Sequence, residues 1–252
     1  MVVWAETLYG SPDTYTIYSQ VVKPDGDLDG GPLPISSNTG ERKEVDIAYS
    51  RQVDLFCVVW EWYHDGWTKN YIKGRRVEAD GNATYSGEIF IAEPALGDNL
   101  NPAIASVRDL NGDNRFFVIF QTDSDTGHAD IHGRFINKFG TPGDLIDVSN
   151  GIDKSITPAV NGSESAQAYL VAWRQTAGIM DIEIRARQFT SSGLVLGVEH
   201  DFGGMAVENP AIAAGPLGDF LVTWQDHPLW TNSENVWGAL FGNRNYIPLI
   251  NH

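Results

Sequence analysis

Asn209-Pro210-Ala211-Ile212-Ala213, followed by Phe220-Leu221-Val222-Thr223-Trp224-Gln225-Asp226, is the stretch on which the fold is read. Its second half is a short apolar run closed by an aromatic residue. Such a run recurs five times: Val2-Val3-Trp4, Phe56 to Trp60, Phe116 to Phe120, Tyr169 to Trp173 and Phe220 to Trp224. Self-similarity at a period of twenty to fifty or so residues is the signature of repeat architectures, in which each unit buries its apolar faces against its neighbours.

Working outward, a second strand-like segment begins eleven to thirteen residues after each aromatic, at Ile17, Ile72, Ile131, Ile184 and Val236. Nine residues further on stands a turn residue: Gly26, Gly81, Gly140, Gly193 and Asn245. Two residues into each of these segments the side chain is small: Ser19, Gly74, Gly133, Ala186 and Gly238. A small residue at a fixed strand position marks the close approach of a neighbour, and we expect the aromatic of the preceding strand to sit there. An inner element precedes four of the aromatic runs: Val45 to Ala48, Pro102 to Ala105, Pro158 to Val160 and Pro210 to Ala213. Its small and β-branched residues suit a strand crowded near an axis, with Pro placed where a first strand residue need not donate. A looser segment closes each unit, at Leu33 to Ile35, Glu88 to Ile91, Leu145 to Val148, His200 to Phe202 and Ile247 to Ile250.

Four short strands per unit without helical periodicity predict an all-β, five-bladed β-propeller of antiparallel strands. The whole chain, 1-252, reads as one propeller domain with units at 1-40, 41-97, 98-152, 153-205 and 206-252. Nothing precedes Val2 that could act as an inner strand of the first unit. The count is nineteen strands where twenty would close the ring evenly. The first blade is therefore expected to lack its innermost strand, with either a monomer or a homodimer through the incomplete blade.

With 33 acidic against 17 basic residues, a net charge of −16, the surface repels phosphate backbones and argues against a nucleic-acid partner. No apolar run is long enough to insert through a membrane as a helix, and the N-terminal residues carry no signal-peptide pattern. The single cysteine, Cys57, lies within an apolar run and reads as a buried thiol. No cofactor is implied by any motif.

The combination Asn-Pro-Ala-Ile-Ala, Phe-Leu-Val-Thr-Trp-Gln-Asp and Asp130-Ile131-His132-Gly133-Arg134-Phe135-Ile136-Asn137-Lys138-Phe139-Gly140 resembles repeats of bacterial extracellular and environmental proteins. In those, "PAVAY…YLVVW…DIYGRR…G" units build propellers. The resemblance spans nearly the whole chain, and it implies an extracellular propeller without specifying an activity. In size the array is also similar to the tachylectin-type lectins.

Aromatic residues are unevenly distributed among the segments that join second and third strands. Tyr9, Trp62, Tyr63, Trp67 and Trp230 fall in units one, two and five, which are consecutive if the ring closes. Beside them stand His64, Asp65, Asp226, His227 and Asn232. Rings that stack on sugar C–H faces, with carboxylates and amides to read hydroxyls, form the composition of a carbohydrate site. The alternative for each ring is packing between blades. The expectation is thus a non-enzymatic, lectin-like propeller that binds glycans, with a protein-interaction scaffold as the second reading. A glycoside hydrolase is the third; its candidate acids are Glu6, Glu61, Asp123 and Asp226. Asp109, Asn111 and Asp113 place oxygen ligands at alternate positions, but the closing Glu of a calcium loop is missing, so no metal site is assigned. Arg75, Arg134 and Arg187 recur in phase with the units and read as structural.

Overall fold

Along each aromatic run the apolar residues do not alternate with polar ones, which means that both faces of the strand must be covered. The computed structural model supplies the cover. It describes residues 1–8, 11–36, 40–63, 68–80, 87–94, 97–110, 112–124, 126–149, 151, 153–176, 182–203, 207–226, 235–242 and 247–249. These form nineteen strands and no helix among the described residues.

The strands build five antiparallel sheets in chain order. Sheet 1 contains β1 (Val2–Leu8), β2 (Ser11–Val22) and β3 (Leu28–Pro34). Sheet 2 contains β4 (Glu41–Ser50), β5 (Leu55–Tyr63), β6 (Tyr71–Glu78) and β7 (Ile89–Ala92). Sheet 3 contains β8 (Asp98–Ala105), β9 (Asn114–Asp123), β10 (Ala129–Asn137) and β11 (Ile146–Asp147). Sheet 4 contains β12 (Lys154–Ser163), β13 (Ala168–Thr176), β14 (Ile182–Thr190) and β15 (Val195–Asp201). Sheet 5 contains β16 (Val207–Ala214), β17 (Phe220–Asp226), β18 (Asn235–Phe241) and β19 (Ile247–Leu249). Sheets 2 to 5 are four-stranded meanders, and sheet 1 has three strands.

Packing follows from strand parity. In β5, Val58, Trp60 and Trp62 turn to sheet 1 and bury against Ile17, Ile35, Val3 and Ala5. The intervening Cys57 and Val59 turn to sheet 3 and meet Phe116, Val118 and Phe120. In the same way Phe117 and Ile119 of β9 face Tyr169, Val171 and Trp173 of β13, while Leu170 and Ala172 face Phe220, Val222 and Trp224 of β17. Each recurring aromatic thus points at the sheet before its own. Strand β4 packs on β8, β8 on β12 and β12 on β16, so the first strand of each four-stranded sheet lies nearest the common axis. This is the architecture of a β-propeller. Burial also accounts for Cys57: with its sulfur wholly excluded from water, the thiol is pushed up to about 12 and stays uncharged.

The small residues after the turn behave differently from expectation. An added Cβ at Gly133 would lie 2.6 Å from Cε2 of Phe117, three residues before the recurring aromatic, and at Gly74 it would meet Ile91 of the outer strand at 2.8 Å. The seats belong to these side chains, because an aromatic pointing at the preceding sheet is turned away from its own third strand's glycine. Phe117 is fully buried and stacks on Phe135 at 4.4 Å, so it has no room to retreat. We predict that Gly133→Ala lowers stability by about 1–3 kcal/mol. Gly31→Ala, which meets nothing within 4 Å, should change it by less than about 0.5 kcal/mol, both read by denaturant unfolding.

Candidate functional site

The inner strands do not begin at their prolines. Each starts several residues earlier and passes through a bulge, where the ladder slips between Lys43 and Asp46, Leu100 and Ala103, Ile156 and Ala159, and Glu208 and Ala211. Within each bulge one non-glycine residue has a positive φ: Glu44 at 45°, Asn101 at 49°, Thr157 at 50° and Asn209 at 52°. The left-handed region is uncommon outside glycine, least of all for a β-branched Thr. Its fourfold recurrence marks a built feature, and bulges of this kind re-aim side chains at the rims of β structures. Here they turn Glu44, Asn101, Thr157 and Asn209, with Pro102, Pro158 and Pro210, towards one recess of about 240 Å³ at the axis.

The bulges are held by the preceding sheet. The residue after each recurring aromatic reaches across: Glu61 Oε1 accepts the Asn101 N–H at 2.7 Å, and Gln121 Oε1 accepts the Thr157 N–H at 3.1 Å together with Asn101 Nδ2 at 3.1 Å. Arg174 occupies the same place in sheet 4 and approaches Glu208 of sheet 5 at 3.8 Å. Deeper in, Asp46 accepts the Ile47 and Ile104 N–H groups at 2.8 and 2.9 Å, one on each oxygen. Asn161 Nδ2 donates to the Ile212 carbonyl at 3.0 Å.

Glu61 stands where this rim meets a smaller recess lined by Glu41, Lys43, Tyr63 and Asn70. Its carboxyl is held above the usual range, first by burial and further by the charges of Glu44 and Asp98, against the pull of the Asn101 N–H and Lys43. Burial likewise lifts Asp46, against its two backbone donors. Asp98 is engaged by the Asn70 N–H at 2.7 Å, and Lys43 pairs with Glu41 at 2.9 Å. Glu44 remains solvent-exposed in the larger recess. A protonatable carboxyl beside an exposed carboxylate in a polar recess is the equipment of general acid–base chemistry.

The expected aromatic arc is only partly visible. Tyr9, His64, Asp65, Trp67, His227, Trp230 and Asn232 lie outside the described residues. Trp62 is corrected: it lies in β5 rather than in a loop and is 4% exposed. The Lys73 ammonium stands 3.3 Å over its ring, and Tyr71 and Phe90 meet it edge-on, so it packs the sheet and offers no face to a ligand. Tyr63 lines the smaller recess. Asp226 ends β17 opposite Asn235, half-buried. Of the other acids, Glu6 is exposed and accepts from Trp4 Nε1, and Asp123 accepts from Gln121 Nε2. Glu44, Asp98, Asn101, Thr157 and Asn209 were not singled out from the sequence; the recurring Asn-Pro or Thr-Pro before the inner strand was the signal for Asn101, Thr157 and Asn209.

Asp109 Oδ2 caps its own hairpin through the Asn114 N–H at 3.3 Å, and Asp113 pairs with Lys138 at 2.7 Å. Asn111 lies outside the described residues. Among the described residues no three His, Cys, Asp or Glu side chains are grouped for a metal ion. Of the recurring arginines, Arg75 ties sheet 2 to the Ile35 carbonyl at 3.0 Å, and Arg187 pairs with Glu199.

No family model matches the chain, and no curated protein does. Solved structures do. An N-acetylgalactosamine deacetylase from F. plautii, in complex with blood group B trisaccharide, is 14% identical over 90% of this chain and 74% of its own, with a TM-score of 0.56. A Hadza microbial sialidase is 9% identical over 89% of this chain, with a TM-score of 0.58; this chain spans about half of it, 52%. An endo-arabinase from Bacteroides thetaiotaomicron is 12% identical over 82% of this chain and 77% of its own, with a TM-score of 0.51. At these identities the likeness is one of fold. It corrects the expectation of a non-enzymatic, lectin-like propeller. The fold recurs in carbohydrate-processing enzymes.

Two predictions follow from the bridging carboxyls. Asp46→Asn, which replaces one of two acceptors by a donor facing the Ile104 N–H, should cost about 1–3 kcal/mol in denaturant unfolding. Glu61 works in the opposite sense. A carboxyl whose folded pKa lies above its unfolded value gives stability that is present below the unfolded pKa and is lost as pH rises through the folded one. Glu61→Gln, which keeps the acceptor for Asn101, should therefore melt higher than the parent at pH 7, and calorimetry should show the gap closing as pH falls below the ordinary glutamate range.

Proposed function

We propose that the five sheets close a five-bladed ring and that the chain is a carbohydrate-active enzyme cleaving glycosidic bonds at the axial recess. The observation that carries this reading is Glu61. It occupies the position of Gln121 and makes the same bond to the next sheet's bulge, yet it replaces an amide that only bridges by a carboxyl whose pKa is raised. In a repeat protein the bridging role needs no charge, and Gln225 holds this position in sheet 5. Arg174 holds it in sheet 4, and Glu61 is the one carboxyl in the series, beside the smaller recess.

Glu61 is the general acid. With its pKa raised first by burial, it gives its proton to the glycosidic oxygen as the bond from that oxygen to the anomeric carbon breaks. Glu44, exposed in the adjoining larger recess and close enough to Glu61 to raise its pKa, is the second carboxylate, facing the positive charge that develops on the sugar ring and taking the proton of the water that adds to the anomeric carbon. Asn101, Thr157 and Asn209 line the same recess, with amides and a hydroxyl suited to sugar hydroxyls. The fold's recurrence in a sialidase, an endo-arabinase and an N-acetylgalactosamine deacetylase supports a carbohydrate substrate.

The test is hydrolysis of a panel of 4-nitrophenyl glycosides, with arabinan and β-1,3-galactan as polymers. Glu61→Gln should lower kcat on a polymer by about a hundredfold or more while the protein stays folded. Its loss on 2,4-dinitrophenyl glycosides should be much smaller, because that leaving group needs no proton. An inactive parent protein across the panel, or full activity in both Glu61→Gln and Glu44→Gln, would sink the reading.

A further inference from the structure

Two positions of each sheet serve the seam towards the sheet that follows. The first lies four residues after the isoleucine of the third strand: Arg76 after Ile72 and Phe135 after Ile131, both buried. Arg76 donates to the Lys138 carbonyl at 2.8 Å and lies against Gly140, and Phe135 meets Tyr169 edge-on at 5.7 Å and lies against Gly193. The second is the outer-strand residue opposite the small one: Leu33 opposite Ser19, Ile89 opposite Gly74, Ile146 opposite Gly133 and Leu249 opposite Gly238. Ile89 and Ile146 pack into the cores shared with the next sheet.

Sheet 4 departs at both positions. Gln188 follows Ile184 by four residues, and His200 lies opposite Ala186. Ala186 faces sheet 5, and by parity so does Gln188. No side-chain hydrogen bond joins Gln188 or His200 to another described residue; the His200 ring meets that of Phe241 edge-on at 4.4 Å. The seam between sheets 4 and 5 is left with a recess of about 520 Å³, which Gln188 and His200 line with Ser165, Leu217, Leu240 and Phe241. Ligand sites span roughly 300–1,000 Å³. The recess is separate from the axial one: β12 passes the axial recess at Thr157 and ends at Ser163, by the turn that carries Ser165, about 20 Å further along the strand.

No Asp, Glu, Lys or Arg side chain lines this recess, so a charged ligand finds no counter-charge in it. A wholly apolar ligand would cover the Gln188 amide, the His200 imidazole and the Ser165 hydroxyl without giving them partners. A sugar matches both parts of the lining, its C–H faces against Phe241, Leu217 and Leu240 and its hydroxyls against the three polar groups. We infer that the recess between sheets 4 and 5 is a second saccharide site, which holds a neutral sugar unit away from the axial recess. With no carboxyl in its lining it binds without cleaving. The inference stands apart from the activity proposed for Glu61.

The test follows the Gln188 side-chain amide and the His200 ring by NMR of the full chain while maltotriose, cellotriose, β-1,3-galactotriose and arabinotriose are added in turn, with trigalacturonate as the charged control. At least one neutral trisaccharide should shift both signals saturably, with a dissociation constant of about 1 mM or below, and trigalacturonate should not. Gln188→Phe and His200→Ile, which copy Phe135 and Ile146 of sheet 3, should each weaken that binding at least about tenfold, read on the signal that remains. Gln188→Leu repeats the test without adding bulk. No shift of either signal with any of the four up to about 10 mM, shifts confined to the axial Asn101 and Asn209 amides, a preference for trigalacturonate, or undiminished binding in these variants would overturn the inference. A parent protein that cleaves no glycoside yet shows the shifts would uphold it while ending the reading of Glu61.

Discussion

The sheets in the middle of this protein are apolar on both faces, and that constraint organises the rest. A strand such as Phe116 to Phe120 has no polar face to leave in water, so a single unit cannot be stable and must be clamped between two others. Parity then assigns the contacts without further choice. Odd positions of the run meet one neighbour, even positions meet the other, and the recurring aromatic always looks backwards along the chain. Arranging such sheets side by side brings their first strands together at an axis, where only small and β-branched side chains fit.

The axis is also where the apolar logic must stop. Main-chain groups of the inner strands approach one another there with few side chains to shield them, and buried N–H groups need partners. The bulges answer this. In β8 and β12, the residue turned into the left-handed region presents its N–H to the sheet before, where Glu61 or Gln121 accepts it. Asp46 does the same one turn of the pleat deeper. The strain of a positive φ at Thr157, of the order of 1–3 kcal/mol, is offset by a bond that locks two sheets together. The same bend delivers Glu44, Asn101, Thr157 and Asn209 to one recess, so the device that joins the sheets also builds the mouth.

Much of the framework was legible in the sequence, because it rests on repeated apolar residues at fixed offsets. The nineteen strands among the described residues and the burial of Trp60, Trp173 and Trp224 all depend on that pattern, while Trp4 at the same repeat position is only half-buried. The site was less legible. Trp62 reads as a loop aromatic when residues are grouped by segment, yet it stands two positions after Trp60 and so shares its face; alternation alone implies its burial. The prolines at 102, 158 and 210 read as strand starts, since a proline tolerates a first position. What they mark is the residue before them, and a positive φ at Asn or Thr has no signature in composition. The raised carboxyl of Glu61 arises from burial and from Glu44 and Asp98, three groups brought together by the pairing of β4 with β5 and the packing of β8 against both. No local window contains that information.

Repetition itself supplies the last step. Where five units share a core, whatever all of them possess is explained by folding, and only the departures call for another cause. The aromatic positions, the bulges and the prolines recur, and each has a structural account. Glu61 against Gln121 is a departure of another kind, because the amide already satisfies the Thr157 N–H and the carboxyl adds only a charge that burial opposes. An ionisable group retained where a neutral one performs the same bond brings no gain in stability at neutral pH. What it can add is a proton to give, beside the recess onto which four of the sheets open.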